Sequence, residues 1–250
     1  MSIGIALILI ATGIIVGVIN TFAGAGASIS FALFSFLGMP LSVANATNRI
    51  SVLFQTATMS LEFGRQGKLD WRLGLLLSAP TILGSVIGSH CVTLLNQRLF
   101  AILLCAILLL MLVMLICNPT RAIKGAAKRI APRWYHYIIL VCIGFYGGAF
   151  HIGVGYLFLI LFIMGLGYDL LGANALKGFV VLLYTIFSLA VFALNGEVEW
   201  SYGLVHSIGN VIGAYTATHY SKYIPIKALR IALICFITFA TTYIIITKIC

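Results

Sequence analysis

The chain has 250 residues, of which 62% are hydrophobic and only 8% are charged, and its formal net charge is +10. Soluble domains carry about a quarter charged residues, so this chain has too few polar side chains to cover a water-facing surface. The composition excludes a soluble enzyme or nucleic-acid-binding domain and predicts a helical integral membrane protein.

The first half of the chain contains five apolar segments, and each is predicted to be a helix. Their ranges are 3–20, 27–38, 42–63, 71–94 and 98–117. The first segment lacks the basic start and the cleavage site of a signal peptide, so we expect it to be a membrane span. The second is too short for a comfortable crossing, because a span needs about 20 residues, and it predicts a re-entrant arm.

A short basic linker, residues 118–133, follows the fifth segment. It contains five of the fifteen Lys and Arg residues of the chain: Arg121, Lys124, Lys128, Arg129 and Arg133. Short positive loops beside membrane spans stay in the cytoplasm. The linker therefore predicts a cytoplasmic loop, and it gives no reason to expect a nucleic-acid partner.

The second half again contains five apolar segments. Their ranges are 135–149, 155–167, 171–194, 199–220 and 227–247. The sequence thus predicts two membrane units, residues 1–117 and 134–250, that are joined by the basic linker. Together they make roughly 8–10 membrane segments, depending on which of the short ones cross.

The two halves match each other at a constant offset of 129 residues. The matches include Gly24 and Gly26 with Gly153 and Gly155, Asn45 with Asn174, Trp71 with Trp200, and His90 with His219. Similar apolar composition would not align Trp, Asn and His in one register. We therefore interpret the chain as two copies of one unit, a pattern that recurs in membrane transporters.

Loop charge predicts that the two copies insert upside down relative to each other. If the linker is cytoplasmic, the loop at 64–70 with Arg65 and Lys68 is cytoplasmic too. The equivalent loop of the second copy carries Glu197 and Glu199 and falls outside. The predicted fold class is an all-α integral membrane protein with two inverted-topology repeats and broken or re-entrant helices.

Each copy has a glycine-rich break that predicts part of a binding site. The polar and small residues of these breaks are Asn20, Thr21, Gly24, Gly26, His151, Gly153 and Gly155. Unwound backbone exposes N–H groups, and a helix that begins after the break directs its positive end at the ligand, so an anion is expected. The glycines could instead serve only close helix packing, and the sequence leaves both readings open.

A second polar cluster follows in each copy. Its members are Asn45, Thr47, Asn48 and Arg49 in the first copy and Asn174 and Lys177 in the second. The Asn residues could merely cap helices. A cation within a membrane span is costly and usually faces a cavity or a partner, so Arg49 and Lys177 are candidate anion ligands. His206, also within a span, is either a proton relay or a packing histidine.

Four stretches together resemble the sulfite exporter TauE/SafE family of membrane permeases. They are GVINTFAGAG (17–26), GMPLSVANATN (38–48), GYDLLGANA (167–175) and GEVEW (196–200). The resemblance implies a multi-pass transporter of the cytoplasmic membrane, not an enzyme. It would move sulfite, thiosulfate or an organosulfonate, without an organic cofactor and with a proton or sodium ion as the possible coupling ion.

The chain departs from the family pattern at a few positions. Ala25 and Ala27 replace expected glycines, Leu176 stands where a threonine would repeat Thr47, and His151 lies beside the second break. These departures bear on the substrate more than on the fold. A non-transporting membrane scaffold or assembly factor is the alternative function, and the sequence leaves the oligomeric state open.

Overall fold

The computed structural model describes residues 1–24, 26–117 and 129–220, together with 231, 234, 235, 237, 238 and 242. The helices with defined bounds are α1 (Ile3–Ala23), α2 (Ala27–Phe36), α3 (Leu41–Arg65), α4 (Trp71–Thr93), α5 (Gln97–Cys117), α6 (Trp134–Ala149), α7 (Val154–Ile160), α8 (Leu170–Leu194) and α9 (Trp200–His219). A wider π-helical turn, Leu161–Gly165, extends α7. Most of the predicted linker and of the last predicted span, 227–247, lies outside the described residues.

The predicted all-helical membrane fold is confirmed. In the part of the chain that the structure describes, α1, α4, α5 and α8 are each long and apolar enough to cross a membrane. The helices α3 and α9 have 25 and 20 residues but bury many polar side chains. The chain is a multi-pass membrane protein.

The second segment of each half is short, as predicted. The helix α2 has 10 residues and α7 has 7, to which the π-helical turn adds 5. At about 1.5 Å of rise per residue, α2 spans roughly half of a 30 Å hydrocarbon core. Neither segment is therefore long enough by itself to cross that core, and their re-entrant course stays a prediction.

Left-handed backbone conformations separate each short segment from the helix before it. The helix α1 ends where Gly24 adopts φ +65°, and Gly153 adopts φ +72° directly before α7. Glycine takes such angles without steric cost. His151, at φ +61°, shares this conformation and is the one non-glycine residue with positive φ in the described part of the chain.

Helices of one half pack against helices of the other half, and the pairs are reciprocal. The helix α1 packs against α9, and its counterpart α6 packs against α4, the counterpart of α9. Likewise α3 packs against α9 while α8 packs against α4, and α3 and α8 pack against each other. Such reciprocal packing is expected when two repeats are related by a pseudo-twofold axis. The inverted orientation of the halves in a bilayer stays a prediction.

The two glycine breaks meet backbone to backbone. A Cβ atom added to Gly155 would lie 2.7 Å from the Cα of Gly24, and one added to Gly24 would lie 2.7 Å from the Cα of Gly155. Any side chain at these positions would push the breaks apart. The sequence placed both breaks in one predicted site, and the structure brings them into contact.

We expect Gly155→Ala to lower the melting temperature of the detergent-purified protein clearly, because overpacking a closed contact costs about 1–3 kcal/mol. Gly4→Ala is the matched control, since nothing lies within 4 Å of a Cβ at that position. The measurement is thermal unfolding followed by circular dichroism. Equal melting temperatures for the two variants would contradict tight packing of the breaks.

Candidate functional site

A small cavity of about 20 Å³, open on one side, lies where the two breaks meet. Its polar lining comes from α1, α3, α8 and the segment after α6. The lining includes Asn20, Gly24, Gln55, Thr56, His151, Gly155 and Lys177. Five of these, all but Gln55 and Thr56, are among the residues predicted from the sequence.

Lys177 brings a buried ammonium group to this cavity. Its side chain is 3% exposed, and Nζ donates hydrogen bonds to Asn174 Oδ1 at 2.7 Å, to the carbonyl of Thr21 at 2.7 Å and to the carbonyl of Asn20 at 3.3 Å. The two carbonyls belong to the last turn of α1, where a cation is favoured by the helix dipole. All three ammonium protons thus have acceptors within the protein.

Arg49 binds the end of α6 as Lys177 binds the end of α1. Its guanidinium donates to the carbonyls of Gly147 at 2.6 Å and Gly148 at 2.7 Å, in the last turn of α6. The group also lies over the ring of Phe192, 5.4 Å from its centroid. Asn45 adds a bond from Nδ2 to the carbonyl of Ala149 at 2.7 Å.

Each half therefore holds the end of the other half's broken helix with a buried cation. Burial of these charges is tolerable because the carbonyl groups pair with them. The two cations differ in one respect: Lys177 lines the cavity, whereas Arg49 lies outside its lining. Both were predicted as anion ligands, and of the two only Lys177 lines the cavity.

Two polar residues that the sequence reading missed support the breaks from α3 and α8. Gln55 Oε1 accepts from Asn20 Nδ2 at 3.1 Å, and Tyr184 Oη lies 2.7 Å from His151 Nδ1. Gln55 and Tyr184 match at the repeat offset, and each follows Asn48 or Lys177 by seven residues. Two helical turns keep such residues on one face, so this spacing was the signal that could have identified them.

Other predicted site residues lie near the cavity without lining it. Asn174 orients Lys177 and also donates from Nδ2 to the carbonyl of Leu170 at 2.9 Å. Thr21 contributes its carbonyl, while its hydroxyl bonds the carbonyl of Gly17 within α1 at 2.8 Å. Gly153 packs against the side chain of Met111. Asn174 and Thr21 thereby hold the ammonium group of Lys177 in place.

The remaining predicted residues have local roles. Gly26 begins α2, where its carbonyl accepts from the N–H of Ile29 at 2.9 Å. The hydroxyl of Thr47 accepts from the N–H of Glu199 at 3.0 Å, which ties α3 to the loop before α9. Asn48 is 3% exposed, and its Oδ1 has no hydrogen-bond partner among the described residues.

His206 lies away from the cavity, between α3 and α9. Its Nδ1 is 2.8 Å from Ser51 Oγ and 2.9 Å from Asn210 Nδ2, and the residue is completely buried. Its ring also meets Phe34 with centroids 5.2 Å apart. These contacts favour the packing role over the proton-relay role.

Comparison with known proteins points to one family. The family model described as "Sulfite exporter TauE/SafE" matches residues 9–244. A "Probable membrane transporter protein ORF9" from Sinorhizobium sp is 25% identical over 83% of this chain and 79% of its own length. A "Probable membrane transporter protein" from Haemophilus influenzae is 26% identical over 86% of this chain and 85% of its own. No solved structure matches this chain.

Proposed function

Since this chain belongs to the sulfite exporter TauE/SafE family of membrane transporters, we propose that it moves a small sulfur-containing anion across the cytoplasmic membrane by alternating access. The substrate class is sulfite, thiosulfate or an organosulfonate. The observation that carries the proposal is the buried ammonium group of Lys177 in the cavity between the two helix breaks. This group supplies the charge that an anion needs at membrane depth.

The chemistry of the lining suits an oxyanion. Among the described lining residues there is a lysine but no Asp or Glu, so the local field attracts negative charge. The amide nitrogen Nε2 of Gln55 has only a weak partner, Met59 Sδ at 3.9 Å. This N–H group is therefore available to donate to an oxygen of the ligand, beside the ammonium group of Lys177.

The cation contacts also suggest how binding is coupled to movement. An anion that takes a hydrogen bond from Lys177 Nζ competes with the carbonyls of Asn20 and Thr21, and it loosens the hold of α8 on the end of α1. Arg49 lies outside the cavity lining and keeps its hold on α6. Anion binding thus changes the contacts between Lys177 and the end of α1 but leaves those between Arg49 and the end of α6. This difference supports a rocking movement between the halves.

Uptake of radiolabelled sulfite and thiosulfate into proteoliposomes tests the proposal. We expect saturable uptake above that of protein-free liposomes, with competition by unlabelled sulfite and little competition by chloride. A thermal-shift series with the same anions adds an independent measurement, because a ligand that binds only the folded state raises the melting temperature. A non-transporting scaffold predicts neither uptake nor anion-dependent stabilisation, and that pair of results would refute the proposal.

A further inference from the structure

His151 combines three features that the proposed transport function leaves unexplained. The first is that it lines the cavity, and the second is that its side chain is only 3% exposed. The third is that its backbone adopts φ +61°, a conformation that glycine accepts more readily. Residues in sparsely populated backbone conformations cluster at functional sites.

The contacts of His151 leave one ring nitrogen for the cavity. Nδ1 lies 2.7 Å from Tyr184 Oη, and this is the one side-chain hydrogen bond of His151 among the described residues. A phenol hydroxyl both donates and accepts, so the Tyr184 contact persists in either protonation state of the ring. Nε2 therefore remains for a proton, for a ligand oxygen, or for both.

The charged and titratable surroundings of His151 are cationic or neutral. From α8 come Lys177 and Tyr184, from α3 comes the charge of Arg49, and from α6 comes Tyr146, whose hydroxyl donates to the carbonyl of Ile152. The helix α1 contributes the uncharged Asn20. Lys177 in the lining and Arg49 outside it oppose a third positive charge, no carboxylate in the described lining offsets them, and an anion removes that opposition.

We infer that His151 takes up a proton when a doubly charged oxyanion enters the cavity, so that anion and proton bind and cross together. The inference rests on the proposed transport function and assigns the coupling ion to it. The proton comes from the aqueous side that the cavity faces, forms the second N–H bond of the ring, and leaves to water when the anion leaves. Linkage makes the effect reciprocal: the proton strengthens anion binding as the anion strengthens proton binding.

The direction of the pH effect follows from this linkage. Binding that takes up one proton becomes tighter as the pH falls, by up to about tenfold per pH unit. The slope holds between the pKa of the imidazole without the anion and its pKa with the anion bound. The measurement covers about pH 5.5 to 8, a range around the ordinary pKa of histidine. Thiosulfate is the probe of choice because it keeps its double charge across this range, whereas sulfite itself gains a proton.

The decisive variant is His151→Asn. Asparagine tolerates positive φ and can still bond Tyr184, but it has no titratable group. Isothermal titration of the whole purified protein with thiosulfate, in buffers of different ionisation enthalpy, counts the protons taken up. We expect about one proton for the unaltered chain and about none for His151→Asn, whose affinity should change less than about threefold over the pH range. His90→Asn, at an exposed position, should behave as the unaltered chain.

The possible outcomes distinguish a failure of this inference from a failure of the proposed transport function. An unchanged proton count in His151→Asn would overturn it, because another group would carry the proton. Loss of thiosulfate binding at every pH in that variant would also overturn it, since the residue would then only hold the site. If the unaltered chain bound thiosulfate without proton uptake, the inference would fail and the transport proposal would stand. No binding or uptake of any sulfur anion would remove both.

Discussion

Replacing Arg49 by methionine is expected to lower the free energy of unfolding by about 3 kcal/mol. The guanidinium satisfies two carbonyls of the last turn of α6, those of Gly147 and Gly148, in a completely buried environment. Methionine fills similar space but leaves both acceptors without a donor. An unsatisfied buried acceptor costs about 1–3 kcal/mol, and neither water nor lipid replaces the bond at this depth.

Reversible unfolding in mixed micelles, followed by circular dichroism, measures this loss. Arg72→Met is the matched control because Arg72 is exposed on α4, and it should change stability by less than about 0.5 kcal/mol. Arg49→Lys should fall between the two, since an ammonium group keeps the charge but lacks the planar fork that reaches two carbonyls. Equal stability of Arg49→Met and Arg72→Met would show that the guanidinium does not hold α6.

Replacing Lys177 by methionine should reduce sulfur-anion transport by at least about 100-fold, which corresponds to roughly 3 kcal/mol of lost stabilisation. The variant removes the ammonium group from the cavity lining and also frees the carbonyls of Asn20 and Thr21. The first change weakens anion binding, and the second uncouples the end of α1 from α8. Initial rates of thiosulfate uptake into proteoliposomes give the measurement.

Two controls distinguish a loss of transport from a loss of folded protein. Lys68→Met removes a cation from an exposed loop and should transport at the unaltered rate. The folded fraction of Lys177→Met, from its melting curve, corrects the measured rate. Transport by correctly folded Lys177→Met within about threefold of the unaltered rate would exclude Lys177 as the anion ligand.

The helices could be predicted closely because their signals are local. The segment predicted at 71–94 is observed as Trp71–Thr93, and the one predicted at 171–194 as Leu170–Leu194. Both begin after a polar loop and continue as a predominantly apolar segment, which in a bilayer leaves only the helix as a satisfied backbone conformation. The breaks were predictable for a similar reason, since glycines interrupt the apolar pattern at Gly24 and Gly153.

The candidate site could be predicted only in part. Lys177 was identified because a cation is rare within a span, and His151 and Gly155 because they belong to a glycine-rich break; all three line the cavity. Gln55 was missed although its register pairs it with Tyr184. An uncharged amide gives a weaker signal within a span than a charge does, because its transfer into the membrane costs less.

By itself the sequence determined the membrane class, the helix positions, the internal match of the two halves and the concentration of polar residues at two breaks. These properties follow from residue type and from spacings of a few residues, which fix local conformation and burial. Only the tertiary structure decided which groups meet: Arg49 with the end of α6, 98 residues away, and Lys177 with the end of α1, 156 residues away. Partners so distant along the chain are selected by how helices pack, because a buried charge takes whichever carbonyls the packed helices bring within hydrogen-bond reach.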